Sequence, residues 1–278
     1  MTEEAGPLRP QRAGVAGIYD RGAAAYEALW SPVILPPATV LVRSLGLRRR
    51  CIVADVGAGT GALLGPIRSA APAARVVTVD ASAGMLRIAR TRRGAHAVLA
   101  DALAVPLASG TADAVILAYV LFHLADPLAA LREAARVLLP GGTVGTVTWA
   151  SERTERAQVM WDDALEEAGV PRLPPRRVDA SLDSPEGLDA QLREAGLTPT
   201  RIWPERVRRQ WDPESFWALA TGSGVNRQRL GLIDPQASSA LLARLRARLG
   251  ELGPEDFWFE GEVICAVGAK AGATGGRA

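Results

Sequence analysis

Three carboxylates stand out by position. Asp55, Asp80 and Asp101 each close a short apolar run, and the first is followed by Gly57, Gly59 and Gly61. An acid at the carboxyl end of a buried strand faces the edge where open α/β sheets bind ligands. Glycine there accepts positive φ and lets a ligand press on bare backbone. The helix behind such a turn also offers unpaired N–H groups to a polar or anionic ligand. One acid could be a solvated loop residue, but three at successive strand ends suit a single extended polar ligand. Gly57-x-Gly59-x-x-Ala62, with Asp80 downstream, also satisfies the relaxed dinucleotide fingerprint. A tight turn with no ligand is the plain alternative.

The elements that must position these residues alternate. Cys51–Val56 is short and β-branched, as a strand buried on both faces should be. Residues 62–70 read as a short or kinked helix because Pro66 lies inside it. Arg75–Asp80 is the second strand, and Ser82 caps a helix whose Met85, Leu86 and Ala89 form a buried stripe. Ala97–Ala100 and Ala112–Tyr119 follow as strands. Asp126-Pro127 opens a helix that Gly141-Gly142 should end, and Thr143–Trp149 is the fifth strand. Five strands alternating with helices imply a doubly wound parallel sheet.

The flanks differ. Residues 1–14 lack periodicity and are expected to be disordered. Residues 15–48 should form a helical lid, with one helix through Tyr19, Tyr26 and Trp30, stopped by Pro32, and a second from Ala38 to Leu45. Beyond Trp149, helices are expected near 157–168 and within 213–249, a loop at Pro171–Pro175, a helix from Ser184 to Gly196, and strands at Thr200–Gln210 and Trp258–Val267. Residues 49–269 would then be one domain, with a disordered tail over 270–278. Six of the seven tryptophans lie at or after Trp149. Trp149, Trp161, Trp211 and Trp217 could line an apolar pocket for a bulky, aromatic or polyketide-like molecule.

Composition narrows the function. The chain has 278 residues, 48% of them hydrophobic, and a formal net charge of +2. Its arginine clusters are short, so nucleic acid is not an expected partner. His96 and His123 are too few for a zinc site, and no metal spacing exists. Cys51 and Cys265 sit in predicted buried strands as small apolar residues. The N-terminus carries no signal-peptide pattern, and no apolar run suggests a membrane span. A cytoplasmic protein, monomeric or a homodimer, is expected.

Taken together, the ordered motifs resemble the class I S-adenosylmethionine-dependent methyltransferases, of the ubiquinone-biosynthesis-like small-molecule type. They are Val53-Ala54-Asp55-Val56-Gly57-Ala58-Gly59-Thr60-Gly61, then Asp80, Ser82-x-x-Met85-Leu86, and Asp101-Ala102 with Val105-Pro106-Leu107. Ala118 to Leu124 and Arg136 to Gly142 match the next two, and Gly261-Glu262-Val263 to Lys270 matches in outline. The likeness is strong over about residues 15–150. It implies a Rossmann-like seven-stranded sheet of order 3-2-1-4-5-7-6 with strand 7 antiparallel.

The resemblance also implies S-adenosylmethionine as cofactor and a small-molecule methyl acceptor, possible chemistries being O-, N- or C-methylation within secondary metabolism. Gly57, Ala58 and Gly59 would rest against the methionine part, Asp55 and Gly61 would belong to the same cofactor site, and Asp80 would hold both ribose hydroxyls. Asp80 is expected to matter for binding with little effect on stability. Ala81 and Met85 would flank the adenine, and Asp101 and Ala102 its amino edge. Ala118, Tyr119 and His123 would border the methyl, with His123 a candidate base for a hydroxyl or phenol or simply a structural contact. Tyr19, Tyr26, Trp30, Trp149 and Trp161 would serve the lid and the acceptor. The family often has a second His where Phe122 stands and a Ser near Ala118. Two rivals are a nicotinamide-dependent oxidoreductase, which would need a hydride-transfer site not visible here, and a non-methylating cofactor-binding protein or cyclase on the same fold.

Overall fold

The apolar run at Ile52–Val56 forms β1, flanked on both sides by parallel partners, β2 (Arg75–Asp80) and β4 (Ala112–Ala118). The computed structural model describes residues 10–172, 182–233 and 235–272. β3 (His96–Leu99), β5 (Leu138–Arg153), β6 (Leu197–Gln210) and β7 (Trp258–Lys270) complete a sheet of order β3-β2-β1-β4-β5-β7-β6. β7 runs antiparallel to both its neighbours. The central strands β1 and β4 are apolar because both their faces are covered, whereas the edge strands β3 and β6 are largely exposed. Val53, Ile116 and Cys265 enter one core, and Ala54, Val115 and Ile264 the other. The order reverses between β1 and β4, so their carboxyl ends open the crevice where such sheets bind ligands.

α3 (Leu64–Ala70), α4 (Ala83–Arg93), α5 (Pro127–Val137) and α7 (Pro185–Glu194) make the crossovers. Ser82 Oγ accepts the Met85 N–H (3.1 Å) and Asp126 the Ala129 N–H (2.9 Å), the capping expected of these residues. α3 is short as expected. Pro66 is its third residue, where no intrahelical donor is lost, so no kink is needed.

Gly141-Gly142 does not end α5. The helix stops at Val137 and β5 starts at once, with a register shift against Ala112–Ala114. A side chain at Gly142 would come within 3.0 Å of the Asp113 carbonyl, so this glycine serves close strand approach at the irregularity.

The N-terminal segment departs most from expectation. α1 (Pro10–Ala25) begins before Gly14, so residues 10–14 are helical, and Pro32 stops nothing. A π-helical turn at Tyr26–Trp30 leads directly into α2 (Ser31–Ser44). Pro32 lies in the first turn of α2, just past the change of register, where the missing N–H costs little. The stretch Gly14–Ser44 is thus long and apolar enough to cross a membrane by length and composition, which the sequence reading did not foresee. Part of it packs on the sheet, with Leu41 and Val42 fully buried, and 39% of the apolar window is buried.

On the same face as α2 lie α6 (Arg156–Glu167), α8 (Pro213–Gly222), α9 (Gly224–Leu230) and α10 (Pro235–Leu249). α9 was not expected. Residues 1–9, 173–175 and 273–278, on which the tail and loop expectations fall, lie outside the described residues.

Candidate functional site

The glycine turn after β1 is stitched to the end of β2. Ala58 N–H donates to the Val79 carbonyl (3.0 Å), and Gly59 N–H to Asp80 Oδ2 (2.7 Å). Gly57 and Gly59 have φ of +68° and +56°, a left-handed region that favours glycine. A side chain on Gly57 would run into Val120, whereas one on Gly59 would point into open space 4.0 Å short of the Tyr26 ring. That open space belongs to the cavities along the sheet edge. Gly61 instead packs on Ala89 of α4, so it shapes the turn and does not face the cavity.

Two buried acids carry the electrostatics. Asp80 Oδ1 accepts the Ser82 N–H (2.8 Å), so each carboxylate oxygen holds one backbone donor and keeps a lone pair for a hydroxyl. Burial raises its pKa, and the N–H donors partly offset this. Asp80 is therefore a structural clamp as well as a candidate ribose ligand, so its loss is expected to cost stability as well as binding. Asp55 is 2% exposed, and its Oδ2 has no hydrogen-bond partner. Burial and the neighbouring Asp80 push its pKa up to about 7. It borders a recess of about 50 Å³ together with Ala58, Gly59 and Tyr26. A buried carboxylate with one oxygen unpartnered is a fitting counter-charge for an ammonium group, such as that of the methionine part of S-adenosylmethionine.

The recess opens into a cavity of about 530 Å³ along the ends of β2 and β4. Ala81, Met85, Asp101 and Ala102 form its outer half, and Ala118, Tyr119 and His123 its inner half. An apolar slot flanked by acids suits an adenosine group, so the residues present fit the cofactor that the motifs imply. Tyr119 has φ of +59°, the sole non-glycine residue with positive φ among the described residues. Its buried hydroxyl is unpartnered, and burial raises its pKa.

α1 roofs this cavity. Val15, Ala16 and Tyr19 line its upper wall. Asp20 Oδ1 accepts from Ser82 Oγ (2.6 Å) and Gly84 N–H (2.7 Å), tying α1 to the start of α4. Tyr19 OH and His123 Nε2 share a hydrogen bond of 2.9 Å. Glu27 pairs with Arg93 (2.6 Å), which in turn donates to the Thr60 carbonyl (2.9 Å). Asp20 gave no signal in the sequence, because one acid on a helix face is unremarkable until a partner's N-terminus packs on it.

A second cavity of about 390 Å³ lies under α6, α8 and α9. It shares Tyr19 and Tyr26 with the first, and Tyr26 also borders the recess. The π-helical turn is what aims Tyr26 at this junction. Trp30 lines the second cavity and stacks on Trp211 (6.2 Å, 16°). Trp161 does not line it. It is fully buried against Phe216 and Trp217, because helix spacing turns it into the core between α6 and α8. Trp149 stands behind Trp30 and Phe259, also off the wall. Phe259 from β7 and the paired amides Gln158 and Asn226 were missed, since nothing local in the sequence brings those elements together.

Comparison with known proteins agrees with the geometry. Residues 54–145 match the family described as methyltransferase domain. The chain is 31% identical over 160 residues to a malonyl-(acyl-carrier protein) O-methyltransferase of Methylococcus capsulatus, covering 56% of this chain and 54% of that protein. It is 38% identical over 110 residues to a mouse tRNA (carboxymethyluridine(34)-5-O)-methyltransferase, covering 38% of this chain and 16% of that protein. The chain thus spans about half the length of the first relative and much less of the second. The solved cyclase SpnF superposes with a TM-score of 0.59 at 18% identity, over 97% of this chain and 100% of that one. Residues 54–145 thus match a methyltransferase domain, and the sheet order is that of the class I S-adenosylmethionine-dependent methyltransferase fold.

Proposed function

We propose that this protein binds S-adenosylmethionine in the larger cavity and transfers its methyl group to an oxygen, nitrogen or carbon of a small organic molecule held in the second cavity. The observation that carries the reading is the junction: the two cavities meet at Tyr19 and Tyr26, beside the recess that holds the Asp55 carboxylate. When bound, the cofactor supplies an electrophilic methyl on a sulfonium. The chain's own residues orient, exclude water and handle the acceptor's proton. Asp55 neutralises an ammonium, and Asp80 holds ribose hydroxyls. Tyr26 and Tyr19 close the junction to water. His123, hydrogen-bonded to Tyr19, is placed to take a proton from a hydroxyl acceptor directly or through that tyrosine. The latches from Asp20 in α1 and Glu27 in the π-helical turn make this N-terminal segment a lid over both ligands.

Calorimetric titration with S-adenosylhomocysteine and with NADH tests the cofactor, and a labelled-methyl assay over an acceptor panel tests the reaction. Tight binding of NADH with none of S-adenosylhomocysteine would overturn the reading. The fold is also that of a cyclase. Cofactor binding with no methyl transfer to any acceptor would favour that second reading.

A further inference from the structure

The two relatives named above act, by name, on a malonyl group and on a carboxymethyluridine. The second cavity of this chain is built for a different charge. One wall is aromatic, formed by Trp30, Trp211, Phe216 and Phe259 with the Tyr19–Tyr26 pair, whose rings meet edge to face at 5.6 Å. The lining also carries polar groups, Glu155, Gln158, Asp162 and Asn226. Gln158 and Asn226 bond each other reciprocally, at 3.2 and 2.9 Å, which leaves each amide one further donor and acceptor. Among the described lining residues there is no lysine, arginine or histidine. Two cations lie behind the lining: Arg229, 2% exposed, is engaged by the Asp162 carboxylate and the Pro171 carbonyl (3.2 Å), and the Arg209 guanidinium covers the Trp211 ring at 5.3 Å.

A carboxylate or phosphate desolvated in this cavity would meet ring faces and acids with no counter-charge. A ring-bearing cation would meet aromatic faces that attract it and polar groups that accept hydrogen bonds. We infer that this cavity selects a ring-bearing amine as acceptor and excludes carboxylate acceptors. The inference rests on the methyltransferase reading, and it separates this chain's acceptor from those in its relatives' names.

The test is calorimetric binding to the full chain saturated with S-adenosylhomocysteine, which prevents turnover. The probes are tryptamine and phenethylamine, set against indole-3-acetate and phenylacetate. The amines should bind at least about tenfold more tightly than the carboxylates of the same ring. Val225 lines the cavity and is 46% exposed, so Val225→Arg changes its charge without touching the core. That variant, and Gln158→Arg as a second, should lower amine affinity about tenfold and raise carboxylate affinity, while binding of S-adenosylhomocysteine stays unchanged. Equal or tighter binding of the carboxylates overturns the inference, as does failure of both amines to bind. An amine-to-carboxylate ratio unmoved by both arginine variants also overturns it. Failure of S-adenosylhomocysteine itself to bind is a different result, which overturns the methyltransferase reading beneath it.

Discussion

Asp55→Asn isolates the most unusual charge in the site. Asp55 has its pKa pushed from 3.8 to about 7 by burial and by Asp80. Because the folded value lies above the unfolded one, the native state holds a proton that the unfolded chain has released. The stability this proton brings is complete below about pH 4 and is lost as pH rises to about 7. Three pKa units at about 1.36 kcal/mol each amount to about 4 kcal/mol across that window. The Asn variant keeps the shape but does not titrate there, so it contributes an offset independent of pH. Urea unfolding of both proteins at pH 5, 6, 7 and 8 should show the wild type losing ground to the variant up to about pH 7, then levelling. Ligand binding should reverse the penalty, because an ammonium beside the recess favours the ionised carboxylate. S-adenosylhomocysteine affinity should therefore rise with pH through about 7 in the wild type, with proton release visible in buffers of different ionisation enthalpy, and stay flat in Asp55→Asn. A wild-type-minus-variant stability difference that does not change between pH 5 and 8 would refute the reasoning.

Asp80→Ala removes the acceptor of two backbone N–H groups as well as the ribose ligand, so unfolding should become easier by about 2–4 kcal/mol and S-adenosylhomocysteine should bind at least tenfold more weakly. Full stability in denaturant would show that the turn does not depend on this clamp. Gly59→Val should fold, since the added atoms enter open space, but should abolish cofactor binding by filling it and straining a φ of +56°; near-normal binding would place the cofactor elsewhere. Asp20→Ala breaks the tie between α1 and α4, and amide exchange over residues 15–45 should accelerate by about tenfold or more with the core unaffected. Unchanged exchange there would mean that the lid is held by its packing alone.

The sequence by itself determined the sheet and the cofactor edge. β-branched runs closed by Asp55, Asp80 and Asp101, glycines at the first turn, and capping residues at Ser82 and Asp126 are local signals whose physics acts within a few residues. Strand and helix identities through Trp149 could be read from them, although Gly141-Gly142 served strand approach and not helix termination. What only the tertiary structure decided depends on distant partners. A proline at position 32 ends an isolated helix, but a π-helical turn carries this one past it and aims Tyr26 at the junction of the cavities. Trp161 and Trp211 look alike in sequence, yet one is sealed between α6 and α8 while the other lines a wall. Asp80 reads as a ligand residue, and only the fold shows that it also fastens the glycine turn. Asp55 reads as one more strand-end acid. Its shifted ionisation exists only because the fold buries it beside Asp80, next to Tyr26, Ser31 and the glycine turn.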